Sequence, residues 1–163
     1  MPTKKVTEKN IVEIIKEDDM NSHNGLVLNT SYDDYVLGAN INQYLNREHW
    51  KEHHALSDIG PDNDLFYFKE GIGVWCDPDG TINTIDCDTS CVFKGIELIG
   101  LNFSVFLEII QEEPCDEDII YLEGKGKRGQ NQHVYDFDKS GLQVWTWRNM
   151  IRTVQIYNSK NDS

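Results

Sequence analysis

At 163 residues, with 15 lysines and arginines against 28 aspartates and glutamates, the chain has the length of one domain and carries a net charge of -13. That charge repels DNA, RNA and acidic membranes at long range and leaves a neutral or basic partner as the natural one. Four cysteines, Cys76, Cys87, Cys91 and Cys115, are too few for the disulfide framework of a secreted domain. No apolar run approaches the ~20 residues of a membrane span, and the opening MPTKKVTEKN lacks the apolar core of a signal peptide. The expectation is a reduced, soluble, cytoplasmic single domain over 1–163 with no cofactor.

In chain order, Ile11, Val12, Ile14 and Ile15 predict one side of a short helix capped by Thr7 or Asn10. A strand is expected over 26–28, and Asn40 then reads as the N-cap of a helix that buries Ile41, Tyr44 and Leu45 and runs on to Trp50. Loop residues fill 57–64. Strands over 65–68, 72–76 and 81–87 come next, the last two joined by a hairpin turn at Asp77-Pro78-Asp79-Gly80. After a bridge over 88–94, Asn102 caps a second helix carrying Phe103, Phe106, Leu107 and Ile110 and stopped by Pro114. The remainder reads as a meander of strands over 119–122, 133–137, 142–147 and 151–157.

Two phrases in this order recur. LGANINQYL at 37–45 aligns without a gap on IGLNFSVFL at 99–107, and GIGVWCDPDGTINTIDC at 71–87 returns as GLQVWTWRNMIRTVQI at 141–156. A tandem duplication accounts for both. It predicts an α+β fold of two helix-plus-antiparallel-meander repeats, 25–90 and 91–158, that form one two-layer domain with the helices on one face of a six- to eight-stranded sheet.

Several patterns could carry chemistry. His49-Trp50-Lys51-Glu52-His53 fits H-x-x-E-H, two metal-binding histidines one helical turn apart with a glutamate base, but no third ligand accompanies it, so no metal site is expected there. Gly124 to Gly129 fits G-x-G-x-x-G, yet QNQHVYDF after it reads as a strand where a phosphate-binding loop needs a helix. Asp77-Pro78-Asp79-Gly80 lacks the spacing of a calcium loop, and the cysteines fit no zinc pattern and read as buried thiols.

The stronger expectation is a binding face made of Trp75, Trp145, Trp147 and Tyr157 rimmed by Asp77, Asp79, Asp136 and Asp138, with Asp86 and Asp88 nearby. Aromatic side chains anchor interfaces, and carboxylates steer a basic partner. The competing expectation buries the tryptophans in the core and leaves the acids merely solvated. A three-residue loop at Arg148-Asn149-Met150 would set Val144 opposite Val154 and Leu142 opposite Ile156 on the core face, placing Trp145 and Trp147 on the other face with Ile151 and Tyr157.

The succession L-G-x-N, G-I-x-V-W-x-D-x-D-G-x-I and G-L-Q-V-W, over residues 35–157, together with size and acidity, resembles immunity proteins of bacterial polymorphic toxin systems, including contact-dependent growth inhibition. The order of elements is similar to that of the β-lactamase inhibitor protein. The resemblance implies a cytoplasmic protein, not an enzyme, that binds one cognate toxin, often a basic nuclease, and occludes its active site. Two other classes stand beside it: a small metal-dependent hydrolase using His49, Glu52 and His53, and a non-catalytic adaptor.

Overall fold

A computed structural model describes residues 25–46, 49–55, 64–68, 70–124 and 127–158. In chain order these form β1 (Leu26–Val27), β2 (Ser31–Tyr32), β3 (Tyr35–Val36), a 3-10 turn (Ile41–Gln43), β4 (His49–Ala55), β5 (Asp64–Phe68), β6 (Ile72–Cys76), β7 (Ile82–Cys87), β8 (Val92–Phe93) and β9 (Ile96–Glu97). The helix α1 (Phe103–Ile110), β10 (Asp116–Gly124), β11 (Lys127–Phe137), β12 (Leu142–Trp147) and β13 (Met150–Tyr157) complete the set. One antiparallel sheet of eight strands runs in the order β10-β11-β12-β13-β7-β6-β5-β4, with β1 to β3 and β8 to β9 in two small sheets.

The protein is therefore mostly β, and the expected α+β class with two tandem helix-plus-meander repeats is overturned. The stretch after Asn40 makes three residues of 3-10 helix and stops, and 49–55, partly assigned to that helix, is strand β4. The reason is local. Beyond Leu45 the apolar stripe is not renewed, Asn42 and Asn46 support a helix poorly, and so short a segment does not repay the cost of nucleation. Pairing of β4 on β5 then takes over. The short helix expected over 11–15 and most of the loop over 57–64 lie outside the described residues.

The recurring phrases encode a docking of backbone onto a hairpin. Gly38 N–H donates to Ile82 O and Ile82 N–H to Ala39 O, while Ile41 N–H donates to Gly80 O, at 2.8, 2.9 and 2.8 Å. In the other half Gly100 donates to Ile151, Ile151 to Leu101 and Phe103 to Asn149, at 2.8, 2.9 and 2.7 Å. Both glycines hold φ +86, a conformation that side-chain-bearing residues adopt only with strain. Each Asn then caps the helical turn after it: Asn40 Oδ1 accepts from Asn42 N–H at 3.0 Å and Asn102 Oδ1 from Ser104 N–H at 2.9 Å.

The core lies on one side of the sheet. Leu142, Val144, Ile151, Val154, Ile156, Ile72, Val74, Ile82 and Ile85 alternate inward from the four central strands and are almost wholly buried. α1 covers them with Phe103, Phe106 and Ile109: Phe103 stacks on Tyr135 at 4.1 Å, and Phe106 meets Phe137 edge-on at 5.5 Å. In the other half Tyr35 packs between Tyr44 and Phe68, at 5.1 and 5.0 Å.

The hairpin of β12 and β13 pairs Leu142 with Ile156 and Val144 with Val154, as expected, but its turn is shorter. Arg148 and Asn149 alone form it, both with positive φ, and Trp147 pairs with Met150. A bulge between Trp145 and Thr146 absorbs the odd residue and turns Ile151 into the core, not onto the face of the tryptophans.

Candidate binding face

Directly paired residues share a face, so the register assigns the side of the sheet away from α1. A central row crosses it: Tyr67, Gly73, Asp86, Gln155, Gln143, Asp136 and Asp116 are successive partners. On one side of this row lie Leu65, Trp75, Thr84 and Tyr157; on the other lie Thr153, Trp145, Val134 and Asp118. Trp75 and Trp145 thus flank the polar row from opposite sides, both half-buried.

Both indoles hydrogen-bond into that row. Trp75 Nε1–H donates to Asp86 Oδ2 at 3.0 Å, and Trp145 Nε1–H donates to Gln143 Oε1 at 2.9 Å. Gln143 in turn donates from Nε2 to Asp136 Oδ1 at 2.8 Å. With the N–H tied down, each ring is fixed in orientation and offers its remaining surface as rigid aromatic area.

Asp86 is the electrostatic centre of the face. Burial pushes its carboxyl up to about 6, with Asp88 adding in the same direction, against hydrogen bonds from Trp75 and Gln155 that favour the ionised form. Its Oδ1 is buried without a hydrogen-bond partner. A carboxylate left in that state is costly and gains from any donor brought to it.

The expected acids gather at one end of the face. A groove of about 710 Å³ opens there, lined by Asp77, Asp136 and Asp138 with Asn83, Gln143, Gln155 and Tyr157 among others, and by no lysine, arginine or histidine among the described residues. Tyr157 O–H donates to Asp138 Oδ1 at 2.9 Å, and burial together with that carboxylate pushes the phenol well above its ordinary range. Asp77 accepts from Asn83 Nδ2 at 2.8 Å. Asp79 stands on the same turn but is committed to it: Thr81 N–H donates to its Oδ1 at 2.9 Å and holds the carboxyl below the usual range.

Trp147 stands apart from this group. It sits beside the Arg148-Asn149 turn, with the guanidiniums of Arg148 and Arg152 at 4.5 and 5.1 Å from its ring, so its surroundings are basic. The structure therefore brings together Trp75, Asp77, Asp136, Asp138, Trp145 and Tyr157, and leaves Trp147 at the far end of β12. Sequence reading places Asp86 only near the face and passes over Gln143 and Gln155. The signal for all three is parity, since each is a polar residue flanked by inward apolar neighbours in an alternating strand.

His49, Glu52 and His53 stand on strand β4 and not at a helix end. The metal-binding pattern requires a helix that sets its two histidines one turn apart, whereas this stretch pairs with β5 through an irregular ladder between Trp50 and His54. Among the described residues no three His, Cys, Asp or Glu side chains cluster as metal ligands, and no helix is long and apolar enough to cross a membrane. Cys76, Cys87 and Cys91 are buried free thiols, and Cys115 is exposed. Compared with protein-family models, curated proteins and solved structures, the chain matches none, so fold and site rest on its own residues.

Proposed function

We propose that the protein is a non-enzymatic inhibitor that binds a basic protein on the open face of its sheet and covers that partner's working surface, in the manner of the immunity proteins it resembles. The observation that carries this reading is the pair Trp75 and Trp145 flanking one polar row, next to a cation-free acidic groove. Fixed aromatic anchors with a charged rim are the composition of a binding surface. The net charge of -13 accelerates encounter with a basic partner and discourages nucleic acid. A nuclease-type toxin as that partner, and a cytoplasmic location, belong to the same proposal.

The test begins with affinity purification of the tagged chain from its native host and identification of a stoichiometric, basic protein partner. With that partner in hand, Trp145→Ala weakens binding by ~2 kcal/mol, about thirtyfold, as the loss of an interface anchor does. Asp136→Asn with Asp138→Asn slows association, most at low salt. The reading fails if no protein partner accompanies the chain, or if Trp145→Ala costs ~3 to 5 kcal/mol of stability, as deletion of a core tryptophan does, and leaves affinity unchanged.

A further inference from the structure

The open face is polarised along β12. Gln143 lines the acidic groove, Trp145 stands in the middle and Trp147 at the far end, all three on one side of a strand whose burial alternates without a break. At roughly 3.3 Å per residue, Gln143 and Trp147 lie about 13 Å apart.

Trp147 gathers positive charge at its end. The guanidinium of Arg148 lies 4.5 Å from the ring centroid and that of Arg152 lies 5.1 Å from it. Arg148 opens the turn and Arg152 is the residue that the bulge adds to β13, so they reach one ring from separate points of the hairpin. Both are exposed, and among the described residues no carboxylate forms an ion pair with either. Two such arginines stand out in a chain with a net charge of -13. Arg148 also holds φ +52, a left-handed conformation that two-residue turns usually give to Asn or Gly. A residue kept there against that preference points to a use beyond the turn.

A guanidinium stacked on an indole places its face on the ring and keeps its N–H edge free. That edge matches a carboxylate, which accepts two parallel N–H···O bonds from it. On the reading of the open face as a binding surface, we propose that Arg148 and Arg152 take an aspartate or glutamate side chain of the bound protein, while the groove about 13 Å away takes one of its lysines or arginines. The two ends differ in sign, so the partner fits one way round. Turned end for end, it would set cation on arginine and carboxylate on Asp136 and Asp138. A polyanion is a poor occupant, because the groove and the chain as a whole repel it.

Two peptides test this on the full-length, isotope-labelled chain, with binding followed by the indole N–H resonance of Trp147. Acetyl-Lys-Gly-Gly-Gly-Glu-amide, when extended, separates its charges by about 13 Å, and the second peptide has Gln in place of Glu. By net charge alone the glutamine peptide is the better ligand for an acidic protein. The expected order is the reverse, with the glutamate peptide bound about three- to fivefold more tightly. Arg148→Gln with Arg152→Gln abolishes that preference and leaves the circular dichroism spectrum unchanged. Equal affinity, tighter binding of the glutamine peptide, or no binding of either overturns the proposal. So does inorganic phosphate that moves the Trp147 resonance and is not displaced by the glutamate peptide. A protein partner that depends on Trp145 but not on the two arginines removes the arginine site alone, whereas a glutamate preference in a chain that captures no protein leaves the arginine site standing and removes the inhibitor reading.

Discussion

Replacing Asp86 by asparagine is the sharpest probe of the open face, because it removes the charge and keeps an oxygen for Trp75 and Gln155. The folded-state carboxyl sits at about 6, against about 3.9 in an unfolded chain. That distance is worth about 3 kcal/mol, and about 2 is a fair expectation once partial exposure is allowed for. Linkage gives the sign. A carboxyl raised in the folded state contributes its full relative stability below about pH 4 and loses it as pH rises through about 6. Asp86→Asn therefore matches the parent protein near pH 4 and is more stable by about 2 kcal/mol above pH 7. Urea unfolding followed by tryptophan fluorescence at half-unit pH steps gives the difference directly, and other carboxylates cancel in the comparison. A difference that is flat with pH would refute the burial argument for Asp86. A difference that grows toward acid would show that the carboxylate is stabilised in the fold, contrary to its unpartnered Oδ1.

Two further substitutions test the frame that holds the face. Asn102→Ala removes the acceptor for Ser104 N–H at the start of α1 and should cost about 1 kcal/mol in chemical unfolding; no measurable loss would mean that α1 is held by packing alone. Gly141→Ala and Gly100→Ala both place a side chain at positive φ, but a Cβ at 141 would lie 2.2 Å from Tyr157 O, while nothing stands within 4 Å at 100. Gly100→Ala should cost about 1 kcal/mol for its backbone conformation, and Gly141→Ala should cost clearly more; equal losses would disprove the steric part of this argument.

The β half of the protein is legible because its signals are strong and local. Alternation in GIGVWC and GLQVWTW, and turn residues at Asp77-Pro78-Asp79-Gly80, name strands and hairpins directly. The first helix falls short of its expected length because Asn40 is a true cap, and a cap announces a start but says nothing of length. Three residues of 3-10 helix satisfy it as well as eight of α. The repeat of L-G-x-N carries a different message, since its glycine, the residue after that glycine and the residue after its asparagine dock onto Gly80 and Ile82, or onto Asn149 and Ile151. Such bonds join segments far apart in sequence and have no periodicity to betray them. Asp86 is visible in the sequence as a residue and not as a centre, because its burial depends on Trp75 from one neighbouring strand and Gln155 from the other.

Two bulges lie at matching positions beside the tryptophans, each with its extra residue on the opposite strand. In β6 and β7 the ladder slips between Trp75 and Cys76, and in β12 and β13 it slips between Trp145 and Thr146. A two-residue turn at Arg148-Asn149 with an unbroken ladder would have set Val144 opposite Thr153 and exchanged the faces of β13 relative to β12. The bulge restores the pairing of Val144 with Val154, so the register expected from a three-residue loop holds although the loop has two residues. It also accounts for Thr146 and Ile151 both being buried on the core side. The same slip beside Trp75 adds Asn83 to β7 and keeps Ile82 and Ile85 both inward, while both indoles reach the open face by the plain alternation of their own strands, each next to the central row that runs from Asp86 to Asp136. A bulge sacrifices ladder regularity and is kept where it aims a side chain. Here the extra residues, Asn83 and Arg152, lie on the strands opposite the tryptophans and aim Ile82 and Ile151 into the core behind the two rings on which the binding reading depends.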